Sequence, residues 1–159
     1  MTIRLRAIYR YPVKGLNGEP LDRIALEAGK RLPGDRAFAL AHGSAPWQAG
    51  ESQWLPPTFF HSLRSEPRLA QLAAQYDSET SRLTLQREGR VVARGELNDP
   101  LGRTIIGQFF ADFLGPDGRG VPKVVAAGPD SGLTDVPDPW ISLLNLDTVD
   151  DLEIGRASC

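Results

Sequence analysis

Prolines and glycines cut this chain into pieces too short for long regular elements over most of its length. Pro12 removes a backbone donor at the end of the alternating run TIRLRAIYRY. Gly29 and Gly43 close two further strand-like runs, DRIALEAG (22–29) and DRAFALAHG (35–43). Pro46, Pro56 and Pro57 block a helix through SAPWQAGESQWLPPTFF. The 16 glycines and 13 prolines nonetheless make up under a fifth of 159 residues, short of the roughly 25–30% that accompanies disorder. A chain so punctuated folds as short strands joined by turns. The expectation is a mainly β protein with one or two helices, of the α+β class.

Periodicity locates the elements. Ile3, Leu5 and Ala7 alternate with Arg4 and Arg6, a strand with one wet face. RLTLQREG and RVVARGEL alternate around a turn near Gly89 and carry the strongest hairpin signal. LGRTIIGQFFADFLG predicts a helix with an apolar stripe of Ile105, Phe109, Phe110, Phe113 and Leu114, stopped by Gly115. PKVVAAG reads as a strand, and RLAQLAAQY fits a helix or a strand. Near the end, Asp147 is placed to cap a short helix whose first turn holds Asp150 and Asp151. Four aromatics, Trp47, Trp54, Phe59 and Phe60, fall in the proline-rich loop and are expected to fold back on the core.

Charge excludes some functions. A formal net charge of −2 lacks the basic excess typical of nucleic-acid binders. No apolar run approaches the roughly 20 residues needed to cross a bilayer, and MTIRLRAIYR contains no uninterrupted signal-peptide core. A single cysteine cannot form an internal disulfide. These features predict a cytoplasmic protein that binds neither nucleic acid nor membrane.

The chemistry-bearing residues are sparse. Cys159 is terminal, whereas a catalytic thiolate needs a fixed electropositive pocket. His42 and His61 are read as structural or exposed, since two histidines and one cysteine show no zinc-ligand spacing. GPDGRG (115–120) fits neither the Walker nor the dinucleotide spacing. No catalytic residue and no metal ligand are assigned. Three cations beside turns remain: Lys14 after Tyr-Pro-Val, Arg36 in PGDRAF, and Arg64 in HSLRSEPRL. Taken singly, each reads first as a solvated surface charge or half of a salt bridge. Converging, they would grip a multiply anionic ligand, because arginine presents a planar fork to phosphate and lysine a point charge.

The order of three segments resembles the N-terminal half of the MOSC-domain proteins (molybdenum cofactor sulfurase C-terminal family). These are IYRYPVKGLNGEPLDRIALEAGKRLPGDRAFAL, HSLRSEPRLAQL and DVPDPWISLLNLDTVDDLE. The resemblance implies a small β-barrel of the MOSC N-terminal type over residues 1–135. Residues 136–159 would then be the opening of a MOSC domain, packed on the barrel. It implies binding of the molybdenum cofactor (molybdopterin), with Lys14, Arg36 and Arg64 at the family's motif positions, and a redox partner protein. The parent activity would be sulfur carriage or reduction of N-hydroxylated compounds.

The sequence also departs from that pattern. The family's metal-ligating cysteine and Arg-Phe-Arg-x-Asn segment lie beyond the Asn-Leu opening, and IGRAS before Cys159 does not match the cysteine motif. The insert between Gly43 and Phe60 is longer than the family pattern. Catalysis is therefore not expected of this chain by itself, which would hold half of the binding groove and no metal ligand; whether it binds the cofactor alone or binds none stays open at this point. The alternative is a stand-alone ligand-binding or protein-interaction barrel that exposes Trp47, Trp54, Phe59 and Phe60. A stand-alone module should bury Leu143, Leu144 and Leu146, whereas a fragment should expose the apolar stretch Trp140–Leu152.

Overall fold

The computed structural model describes residues 4–48, 53–116, 118–128 and 131–148. In chain order the elements are β1 (Ile8–Arg10), β2 (Val13–Lys14), β3 (Glu19–Leu21), β4 (Phe38–Ala41), 3-10 turns at Pro57–Phe59 and Pro67–Gln71, β5 (Ala73–Asp77), β6 (Arg82–Arg87), β7 (Arg90–Glu96), α1 (Pro100–Leu114) and β8 (Lys123–Ala126). The described residues are mainly β with one long α-helix, as the punctuation predicts.

The strands form three small sheets, β1–β3, β2–β4–β8 and β5–β6–β7. Among the described residues these do not close into a continuous hydrogen-bonded barrel, because β2 has only two residues between Pro12 and Gly15. Asn17 helps to span one gap: its side-chain amide donates to the Ala74 carbonyl (2.9 Å) and its Oδ1 accepts from the Ala74 amide (2.6 Å). That pair imitates a backbone ladder step between the turn after β2 and β5.

Three expected elements move. The alternating N-terminal run is a strand only at Ile8–Arg10, and Leu5 of its expected apolar face is exposed. DRIALEAG forms no strand; the strand is Glu19–Leu21, paired antiparallel with β1 through Tyr9 opposite Pro20. Pro20 is tolerated because β3 pairs on one side only, and the Arg10–Glu19 ion pair ties its end to β1. RLAQLAAQY resolves as both alternatives, a 3-10 turn and then β5.

The β6–β7 hairpin forms as read, with Arg87 opposite Arg90 around Glu88 and Gly89, both at positive φ. Its partner is α1, which starts with Pro100 behind an Asp99 cap that accepts from the Leu101 amide (3.0 Å). The buried face of α1 is Gly102, Ile106, Phe110 and Leu114, four residues apart, with Gly107 buried beside them. Ile105, assigned to the stripe, is exposed instead. The cause is Gly102: a Cβ there would lie 2.1 Å from the Glu96 carbonyl oxygen, so the helix backbone rests directly on the end of β7. That contact sets the helix rotation. Ile106, Phe110 and Leu114 join Leu83, Leu85, Leu97, Val13 and Phe38 in the main core, each worth about 1.5–3 kcal/mol of burial.

A second cluster of Ala39, Ala41, Ala45, Leu55, Phe60, Val125 and Leu133 covers the other part of β4, with Trp47 and Phe59 against it. The loop aromatics therefore do fold back: Phe60 is buried, and Trp47, Trp54 and Phe59 are half-buried. This leaves the interaction-module alternative without its exposed aromatic patch.

The segment expected to pack on the barrel behaves differently. Residues 135–148 are exposed throughout, with Trp140, Leu143 and Leu144 at 73%, 84% and 82%. Leu146–Thr148 are helical, and the Asp147 amide donates to Asn145 Oδ1, so the cap is Asn145 rather than Asp147. Asp150, Asp151, Leu152 and Cys159 lie outside the described residues. Among the described residues no helix is long and apolar enough to cross a membrane.

Candidate cation site beside the proline turn

Lys14 is the second residue of β2, paired in parallel with Ala39 of β4. Its side chain points inward and is only 5% exposed. The ammonium lies 5.6 Å from the centroid of the Phe60 ring and forms an ion pair with the carboxylate of Asp135. A buried ammonium needs a counter-charge, since leaving it unpaired would forfeit its hydration for nothing. The chain supplies that charge from 121 positions away, on a residue that is itself 68% exposed.

Gly15 makes the turn possible. Its φ is +88°, and a Cβ there would lie 2.6 Å from the His61 carbonyl oxygen. The turn is thus pressed against His61 and Ser62, and the Leu16 amide closes it on Val13 (3.2 Å). His61 is held in turn by its amide donating to the Leu40 carbonyl (2.8 Å). His42 and His61 are both buried, with ring centroids 4.0 Å apart. Arg119 Nη1 sits 2.9 Å from His42 Nε2; guanidinium can only donate, so Nε2 accepts in this contact. No local signal marks this adjacency, because it depends on how β4 pairs with the stretch around Phe60.

Arg36 belongs to a different knot. Its φ is +47°, in the left-handed region that disfavours a side chain. Its amide donates to the Tyr11 carbonyl (2.6 Å), its carbonyl accepts from the Leu133 amide (2.9 Å), and its guanidinium lies 5.1 Å from the Tyr11 ring centroid. Asp35 pairs with that guanidinium while its Oδ1 accepts from the Tyr11 amide (2.7 Å). Strain of this kind is retained where surrounding contacts over-determine it.

Lys14 through its ammonium and Arg36 through its backbone carbonyl thus both contact one segment, Leu133–Asp135. Arg64 is placed less closely. It lies exposed in the Ser62–Ser65 turn, which adjoins Gly15, and among the described residues its side chain makes no hydrogen bond or ion pair. A cleft of about 960 Å³ is lined by Arg31, Asp35, Phe38, Asn98 and Ser131 among others, but by none of the three cations. Lys14 thus faces Asp135 and not this hollow. Among the described residues no group of three or more His, Cys, Asp or Glu is arranged to hold a metal ion.

A family model described as the MOSC N-terminal beta barrel domain matches residues 2–115. Comparison with curated proteins and with solved structures gave no match.

Proposed function

Because this chain belongs to the MOSC N-terminal beta barrel domain family, we propose that it is the cofactor-facing part of a molybdenum-cofactor protein. Its task in that reading is capture of the cofactor's anionic phosphate and pterin edge, with Lys14 as the central charge, Arg36 beside it and Arg64 at the rim. When bound, the cofactor supplies a redox-active metal suited to sulfur carriage or to reduction of N-hydroxylated compounds. This chain's residues orient and neutralise the anionic end.

The donor set suits that end of the group. Lys14 already holds an anionic oxygen, and the Arg36 guanidinium, bound on one nitrogen by Asp35, keeps further donors in its planar fork. The metal end has no such match among the described residues, so none of them is assigned as its ligand. The exposed Trp140, Leu143 and Leu144 suit docking of this segment against a further domain. A redox partner protein belongs to the same reading.

The observation that carries the reading is Lys14: a buried ammonium whose counter-ion is an exposed, remote carboxylate. The test is binding of isolated molybdopterin to the wild-type chain and to Lys14→Ala, followed by fluorescence of the pterin. We expect Lys14→Ala to lose at least about tenfold in affinity, the scale of one charge-assisted contact. Equal affinity in the two proteins removes the role.

A further inference from the structure

We propose that residues 133–138 form a displaceable strap, in which Asp135 occupies the Lys14 ammonium and an incoming phosphate group takes its place. The inference rests on the cofactor-capture reading and adds a control element to it.

The two partners of the ion pair are unequal. Lys14 is buried and cannot be left uncompensated, whereas Asp135 is mostly exposed and loses little hydration in the pair. Exchanging one anion for another at Lys14 is therefore far easier than emptying the position. The strap itself is secured by few contacts. On its inner side the Leu133 side chain is buried and its amide donates to the Arg36 carbonyl (2.9 Å). Further along, Arg31 donates to Thr134 Oγ1 (2.6 Å) and to the Pro137 carbonyl (2.5 Å), and Trp54 Nε1 donates to the Thr134 carbonyl (3.0 Å). From Asp135 onward no described residue is buried. Leu133 is thus the anchor, and the part that carries Asp135 is held chiefly by one arginine.

A carboxylate competing with a phosphate for one ammonium lowers the apparent phosphate affinity. Removing its charge while keeping its shape should raise that affinity. Inorganic phosphate is titrated into the full chain, wild type and Asp135→Asn, following backbone amide shifts of residues 13–15 and 133–135. The expected result is about two- to fivefold tighter binding by the variant, the scale of a partly exposed ion pair, and no such gain when Lys14→Met is added. Arg31→Ala loosens the strap without touching Lys14 or Asp135; it should also tighten binding, and it serves if Asp135→Asn folds poorly. Equal phosphate affinity in wild type, Asp135→Asn and Arg31→Ala overturns the strap and leaves cofactor capture standing. Absence of phosphate binding in all of them, together with unchanged molybdopterin binding in Lys14→Ala, overturns both.

Discussion

Replacing Gly15 by alanine tests whether the turn that carries Lys14 is fixed by its contact with His61. Two penalties are expected. The first is conformational: φ of +88° is disfavoured for an L-residue by roughly 1–2 kcal/mol. The second is steric, because the new Cβ would sit 2.6 Å from the His61 carbonyl oxygen and 3.3 Å from Ser62 Cα. Both are backbone atoms that cannot rotate away, and overpacking of this kind costs about 1–3 kcal/mol. Together they predict about 2–5 kcal/mol of lost stability. Gly29 supplies the internal control, since its φ is +78° but a Cβ there would meet no heavy atom within 4 Å. Gly29→Ala should show only the conformational part. Urea unfolding followed by circular dichroism, with m-values checked for constancy, should separate the two variants by about 1–3 kcal/mol. A difference below roughly 0.5 kcal/mol, the usual scatter of surface substitutions, would refute the claim that the Lys14 turn is clamped on His61.

Asp77, at the end of β5, is held below the ordinary 3.8 mainly by the Thr80 hydroxyl, which donates to it (2.8 Å), with help from the Glu79 amide (2.9 Å). A depressed carboxyl contributes stability that is present above its unfolded value and lost as pH falls through the lower folded value. Thr80→Val should therefore move the Asp77 carbon-13 carboxyl midpoint back up toward 3.8, and an unmoved midpoint would rule out the hydroxyl as the main cause. Leu143→Ser and Leu144→Ser should each change stability by under about 0.5 kcal/mol, against about 2–5 kcal/mol for Ile106→Ala in the core. A core-sized loss at either leucine, measured by the same unfolding assay, would show that the segment packs on the chain.

What the sequence made legible depended on how locally each feature is determined. The hairpin 82–96 and the helix 100–114 are legible because alternation around a turn near Gly89, an apolar stripe and the stop at Gly115 all act within a few residues. The helix rotation was not, since it turns on Gly102 meeting Glu96 across a tertiary contact. The strand expected at 22–29 failed for a related reason. Ile24 and Leu26 alternate correctly, but β1 pairs with Glu19–Leu21, and a strand forms only where a partner lies. At the candidate site, Lys14 and Arg36 were singled out by their turns, yet Asp135 could not be, because nothing local connects positions 121 residues apart. Nor does any local signal mark Asn17, whose amide bridges two segments far apart in sequence.

Two of the three candidate cations, Lys14 and Arg36, are also unequal in a way their motif positions do not convey. Arg36 is paired with its chain neighbour Asp35, which is mostly buried and tied to the Tyr11 amide. That carboxylate cannot leave without dismantling the knot that fixes the strained Arg36 backbone. Lys14 is paired with Asp135, whose departure into water disturbs only the strap. An arriving anion can therefore replace a counter-ion at Lys14 but must share one at Arg36. Under the proposed cofactor capture, Lys14 is the contact whose occupancy changes on binding, while Arg36 sets the shape against which the strap and Tyr11 rest. The two variants should fail differently: Lys14→Ala chiefly in anion affinity, and Arg36→Ala first in the stability of the segment joining β1 to β4.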